Sequence, residues 1–171
     1  VQDNEANGAG AGVLCYQSGV NMYGGEITKH SQKVYNGAVC LDTGSTMTMT
    51  GGTIAGNIGS DEQIYICKDA NLIVAGDSAV IAETSDQTAI YAFNGGEVEI
   101  KNGNIQNEIA LVQQSKLTMS GGAVQDIRVS RGSSVMVSDG KINQGIAVGS
   151  GDNDYYGWGT VTLSGAPEIS G

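Results

Sequence analysis

Apolar residues recur along this chain in a fixed frame that can be read against a Gly-Gly mark. Counting the second position of that pair, the marks fall at Gly25, Gly52, Asp77, Gly103, Gly122, Gly140 and Ala166, with intervals of 27, 25, 26, 19, 18 and 26 residues. Five residues before the marks stand Val20, Met47, Leu72, Val98, Leu117, Val135 and Val161; three before stand Met22, Met49, Val74, Ile100, Met119, Val137 and Leu163. The residues between are Asn21, Thr48, Ile73, Glu99, Thr118, Met136 and Thr162, mostly polar. Positions of one parity share a face of a strand, so each unit predicts a short strand with two apolar residues inward and one residue outward. Two residues after the mark come Ile27, Ile54, Ile105, Val124 and Ile142, and one-residue slips to Val80 and Ile169 repair the two units that miss. They predict a second strand beyond a glycine corner. A third apolar run precedes each unit: Val13-Leu14-Cys15, Ala38-Val39-Cys40, Ile64-Tyr65-Ile66, Ala89-Ile90-Tyr91, Ile109-Ala110-Leu111, Ile127-Arg128-Val129 and Ile146-Ala147-Val148.

Three strands in each unit of 18–27 residues is the arithmetic of a solenoid, in which each turn pairs with the turns above and below. No apolar stripe of helical period with caps occurs, so helical and leucine-rich solenoids are excluded. The predicted fold is all-β: a single domain over residues 1–171, built as a single-stranded right-handed parallel β-helix of about seven coils. Variable coil length and the lack of a strict hexapeptide repeat favour the right-handed form. Composition then acquires positions. Of 27 glycines many fall at corners, with Asn36-Gly37, Asn94-Gly95, Asn102-Gly103 and Asp139-Gly140 as turns. The single proline, Pro167, lies in the last coil, where a missing ladder donor costs least.

Charge narrows the partners. Eighteen carboxylates against eight Lys and Arg give a net charge of −10, with no basic stripe, and nucleic acid is excluded as a ligand. No apolar run is long enough to span a bilayer, and the chain opens without Met or a signal peptide, so it reads as an excised fragment or a processed chain. Cys15, Cys40 and Cys67 cannot all pair with one another and form no CxxC motif. Each stands about ten residues before a mark, so they are expected to stack in adjacent coils as free thiols. No metal site or cofactor is expected.

Thr50-Gly51-Gly52-Thr53-Ile54-Ala55-Gly56-Asn57 resembles the GGTIxGN unit of repetitive bacterial cell-surface proteins, the autotransporter passengers and wall-anchored adhesins on a right-handed parallel β-helix (the pectate-lyase-like fold). Gly24-Gly25-Glu26-Ile27, Asn102-Gly103-Asn104-Ile105 and Ser120-Gly121-Gly122-Ala123-Val124 are similar to it with drift. The resemblance covers nearly the whole chain. It implies an extracellular adhesin or stalk module, on a bacterial surface or secreted, without catalytic residues, whose partners are a glycan or a host surface protein. Two alternatives stand beside it: a polysaccharide lyase or hydrolase on the same fold, and a structural segment whose ends stack on adjoining coils of a longer chain and therefore expose unpaired strand edges.

Candidate chemistry is sparse. His30, the only histidine, follows Ile27-Thr28 on a corner, where a solvated residue is expected. Asp61, Glu62 and Asp86 precede equivalent strands and form the one candidate set of paired carboxylates, against solvated loop tips as the plainer reading. Arg128 and Arg131 are the only arginines, and Asp126 and Asp139 are their expected surface partners. The outward threonine of Thr46-Met47-Thr48-Met49-Thr50 is not continued by neighbouring coils, which excludes an ice-binding array. The insertion at 149–159 carries Asp152, Asp154, Tyr155, Tyr156 and Trp158, the candidate ligand-binding residues: aromatic faces for sugar stacking beside carboxylate acceptors. The same loop could instead cap the last coil with its rings, and Asp152-Asn153-Asp154 resembles half a calcium loop without its bidentate Glu.

Overall fold

The computed structural model describes residues 1–32, 36–58, 62–82, 88–149 and 157–171, and among these it holds seventeen strands and no helix. Fifteen strands belong to one sheet in which every pairing is parallel, as the short units require. The pairings resolve into three ladders. Ladder I passes through β2 (Val13–Cys15), β6 (Val39–Leu41), β8 (Glu62–Ile66), β10 (Thr88–Phe93), β12 (Asn104–Val112), β13 (Lys116–Val129) and β15 (Ile146–Val148). Ladder II passes through β3 (Gly19–Met22), β7 (Thr46–Ala55), β9 (Asn71–Ala82), β11 (Glu97–Ile100), β13, β14 (Ser134–Ile142) and β16 (Thr160–Leu163). Ladder III begins at β4 (Glu26–Thr28), uses the later halves of β7 and β9, and ends at β17 (Glu168–Ile169). Each pass of the chain gives one strand to each ladder, and the long strands run through a corner to serve more than one.

In ladder II the two apolar columns expected from the sequence stack residue on residue, from Val20 on Met47 to Val135 on Val161 and from Met22 on Met49 to Val137 on Leu163. Ladder III aligns Ile27, Ile54, Ile81, Ile105, Val124, Ile142 and Ile169. Here the expected slip to Val80 is corrected: Ile81 takes the inward place, and Val80 pairs with Thr53 and Asn104. The β7–β9 register shifts after Met49 so that Gly51 meets Ser78, and the corner of β9 holds two extra residues. A slip of two preserves parity, whereas a slip of one would turn an isoleucine to solvent. The inward columns of all three ladders merge into one apolar cluster in which Met47, Ile54, Ile64, Leu72, Ile90 and Ile109 are fully buried. Each such side chain stabilises by about 1.5–3 kcal/mol, against about 0–1 kcal/mol for an exposed ion pair, so the aliphatic columns hold the fold.

The turn from ladder I to ladder II repeats. Ser45, Ala70, Gly96 and Ser133 each donate N–H to the carbonyl three residues earlier, at 3.1–3.2 Å. The third residue of each is left-handed, Gly44 at φ 69°, Asp69 at 57°, Gly95 at 86° and Gly132 at 72°, as is Gln114 at 63° in the equivalent turn that the Ser115 hydroxyl closes on the Val112 carbonyl. The three cysteines are free but do not form the expected stack. Cys15 is level with Leu41, Cys40 with Leu14 and Tyr65, and Cys67 lies one residue beyond Ile66. One residue of offset moves a side chain to the other face.

The two ends differ. At the amino end β1 (Glu5–Ala6) pairs with β5 (Ser31–Gln32) and Gln2 bridges to Thr28, while Cys15, Met22 and Ile27 of the first complete pass are buried. At the other end the corresponding residues Val148, Leu163 and Ile169 are 51%, 52% and 42% exposed.

Candidate binding groove on ladder I

The outward column of ladder I reads Leu14, Cys40, Tyr65, Tyr91, Ala110, Arg128 and Ala147. Tyr65 and Tyr91 are register partners whose rings lie 5.8 Å apart and 12° from parallel. Phe93, two residues along β10, is 6.4 Å from Tyr91 and 6.5 Å from Tyr65. All three rings are half-buried and keep one part in solvent. Burial pushes both tyrosine hydroxyls above their ordinary range, and the Arg128 charge only partly opposes this at Tyr91. They stay neutral hydrogen-bonding groups.

Ala110 is fully buried although it points outward, because Tyr91 and Arg128 flank it in the column. Arg128 forms a fork with Glu108: Nε donates to both carboxylate oxygens at 3.1 Å and Nη2 donates to Oε1 at 2.9 Å. Thr88 Oγ1 donates to the same Oε1 at 3.3 Å. The hydrogen bond to Glu108 raises the pKa of the guanidinium further. Asp126 is the register partner of Glu108, and its carboxyl is pushed up by burial first and by the Glu108 charge second. For Arg128 the expected pairing with Asp126 or Asp139 is therefore replaced by Glu108, one pass earlier.

Two hollows open on this surface and share Tyr91 and Arg128. One, of about 450 Å³, is lined by Asn36, Glu62, Tyr65, Thr88 and Phe93 besides the shared pair. The other, of about 390 Å³, lies toward Val112, Ser130, Arg131 and Val148. Glu62 is buried, and its Oε1 accepts the Asn36 N–H at 3.0 Å. Asp61 and Asp86 lie outside the described residues. Of the expected carboxylate set, only Glu62 is thus placed, on the wall of the aromatic hollow.

No family model, curated protein or solved structure matches this chain.

Asp152, Asp154, Tyr155 and Tyr156 lie outside the described residues. Trp158 is 68% exposed, so its indole does not cap the aliphatic columns. His30 departs from expectation: it is buried, not solvated. Its Nδ1 accepts the Asn4 N–H at 3.2 Å and its Nε2 lies 3.2 Å from the Val1 carbonyl, so the tautomer with hydrogen on Nε2 satisfies both. The His30 N–H donates to Asn57 Oδ1, and Asn57 Nδ2 donates to the Ile27 carbonyl and to Gln63 Oε1. This buried knot ties the first residues to three successive passes. Among the described residues no three His, Cys, Asp or Glu side chains gather as a metal site.

The groove had a trace in the sequence. Tyr65 and Tyr91 both stand in apolar runs, but the run Ala89-Ile90-Tyr91 lies one residue ahead of the ladder register. Its true frame, Ile90-Tyr91-Ala92, puts Tyr91 beside Tyr65 on the outer face.

Proposed function

We propose that the three ladders wind as a single-stranded right-handed parallel β-helix of about seven coils. In this reading the chain is a noncatalytic adhesin or stalk module, extracellular on a bacterial surface or secreted, and it binds a glycan in the groove outside ladder I. The observation that carries the binding role is the set of three near-parallel, half-buried rings on the wall of a 450 Å³ hollow. Sugar rings offer C–H faces to aromatic surfaces and hydroxyl rims to carboxylates, amides and guanidinium groups, and this hollow brings both kinds of group together. Its volume falls within the range of about 300–1,000 Å³ typical of ligand sites.

Recognition is favoured over hydrolysis because two carboxylates beside the rings are engaged: Glu108 by Arg128 and Thr88, Glu62 by the Asn36 N–H. The resemblance of Thr50–Asn57 to surface-protein repeats supports the adhesin setting, and the exposed Trp158 offers a second contact for a glycan or host surface protein.

A glycan array probed with the chain, Tyr91→Ala and Trp158→Ala tests this. Binding by the parent chain that Tyr91→Ala abolishes and Trp158→Ala retains is the expected result. Equal binding by the parent and Tyr91→Ala would sink the groove, and no glycan bound by the parent would sink the reading as a whole.

A further inference from the structure

The only two guanidinium groups of an acidic chain line the same hollow. Arg128 and Arg131 border the 390 Å³ space with Tyr91, Val112, Ser130 and Val148, and no carboxylate is among its described lining residues. The neighbouring 450 Å³ space carries Glu62 instead. Tyr91 and Arg128 border both, so the two hollows adjoin, with Glu62 on the wall of one and Arg131 on the wall of the other. Arg128 is held in orientation by its fork to Glu108, which occupies Nε and Nη2 and leaves Nη1 uncommitted among the described hydrogen bonds. Arg131 makes no ion pair among the described residues. Its backbone is pinned: its carbonyl accepts the Gln114 N–H at 3.0 Å, and the flanking turn closes with Ser133 N–H on the Ser130 carbonyl at 3.1 Å.

We propose that the 390 Å³ hollow is an anion subsite of this groove, taking a carboxylate or sulfate substituent on a saccharide. Arg131 binds the anionic group through its planar fork, Arg128 Nη1 supplies a second donor, and the adjoining neutral sugar ring lies against Tyr91. The inference rests on the glycan reading above and adds the class of glycan. The net charge of −10 opposes a polyanion at long range, but at physiological salt fields are screened beyond about 8 Å, which leaves the contact with the arginines to decide.

The test is calorimetric titration of the chain, Arg131→Gln and Tyr91→Ala with three probes. These are a hyaluronan hexasaccharide, its carboxyl-reduced neutral counterpart, and a chondroitin sulfate hexasaccharide. The expected result is that at least one charged probe binds about tenfold tighter than the neutral one, the effect of one charge-assisted contact. Arg131→Gln should erase that preference while leaving the neutral affinity within about twofold, and Tyr91→Ala should weaken all three. Preference for the sulfated or the carboxylated probe names the anion. Equal affinity for charged and neutral probes, or a preference that survives in Arg131→Gln, overturns the subsite and leaves the glycan reading standing. No binding of any probe overturns both.

Discussion

Replacing Gln114 with glycine should make the protein more stable although it removes a side chain and adds no contact. Gln113 and Gln114 form the centre of a turn in which both residues are left-handed, at φ 55° and 63°. The equivalent of Gln114 in other passes is Gly44, Gly95 or Gly132, with Asp69 the one other residue there that carries a Cβ among these turns. For a residue with a Cβ the left-handed region costs about 1–2 kcal/mol. Glycine removes that cost but returns about 0.5–1 kcal/mol through the greater freedom of its unfolded chain. The balance is a gain of about 0.5–1 kcal/mol for Gln114→Gly. The converse change is Gly95→Ala, at φ 86°, where a Cβ would meet nothing within 4 Å. No clash can contribute there, so its expected loss of about 1 kcal/mol is conformational alone. Urea unfolding followed by far-ultraviolet circular dichroism reads both, and a change of about 1 kcal/mol moves Tm by about 2–4 °C in a chain of this size. Stacked passes can open separately, so amide exchange at Ser115 and Lys116 serves as the local readout. Wild-type stability in Gly95→Ala, or lower stability in Gln114→Gly at unchanged denaturant slope, would refute the argument.

Ser45 Oγ is buried without a hydrogen-bond partner, and Ala70 fills the same corner one pass later, so Ser45→Ala should be neutral or stabilising by up to about 1 kcal/mol; a larger loss in urea unfolding would contradict this. A Cβ at Gly76 would meet the Thr50 carbonyl oxygen, so Gly76→Ala should cost at least about 1–3 kcal/mol, whereas Gly24→Ala, facing open space, should stay within about 0.5 kcal/mol in the same assay. Burial, and after it the Asp42 charge, push the Cys40 thiol from its ordinary 9.0 to about 12. Between those values the unfolded chain has lost a proton that the folded chain retains, so stability falls as pH rises through that window. Cys40→Ala should flatten the alkaline slope in pH-dependent unfolding, and an unchanged slope would argue against the thiol as its source.

Much of the fold could be read from the chain because the apolar spacing itself is the structure. From Met22 to Ile27 and from Met119 to Val124 the same five steps cross the same corner, and parallel pairing stacks like on like. The reading failed where a corner changes length: Val74 to Ile81 takes seven steps, which moved the expected inward residue to Val80. The groove was harder to see because its parts are remote in sequence. Arg128 reaches Glu108 across twenty residues, and nothing near Arg128 distinguishes that acid from the adjacent Asp126. His30 reads as solvated because its two ring partners are backbone groups of Val1 and Asn4, which carry no residue-specific mark.

The unequal ends give the molecule a direction of unravelling. Every pass is held by its neighbours, so loss of order starts where cover is poorest and travels inward. The His30–Asn57–Gln63 knot and the β1–β5 pair close one such starting point. In this 171-residue chain the least covered columns are those of β16 and β17, where Leu163 and Ile169 are half exposed. Amide exchange should therefore run as a one-way gradient, fastest at residues 160–169 and slowest around β9 and β12. The least covered pass thus acts as a clock for the stack, setting how long each inner pass waits before its turn to open.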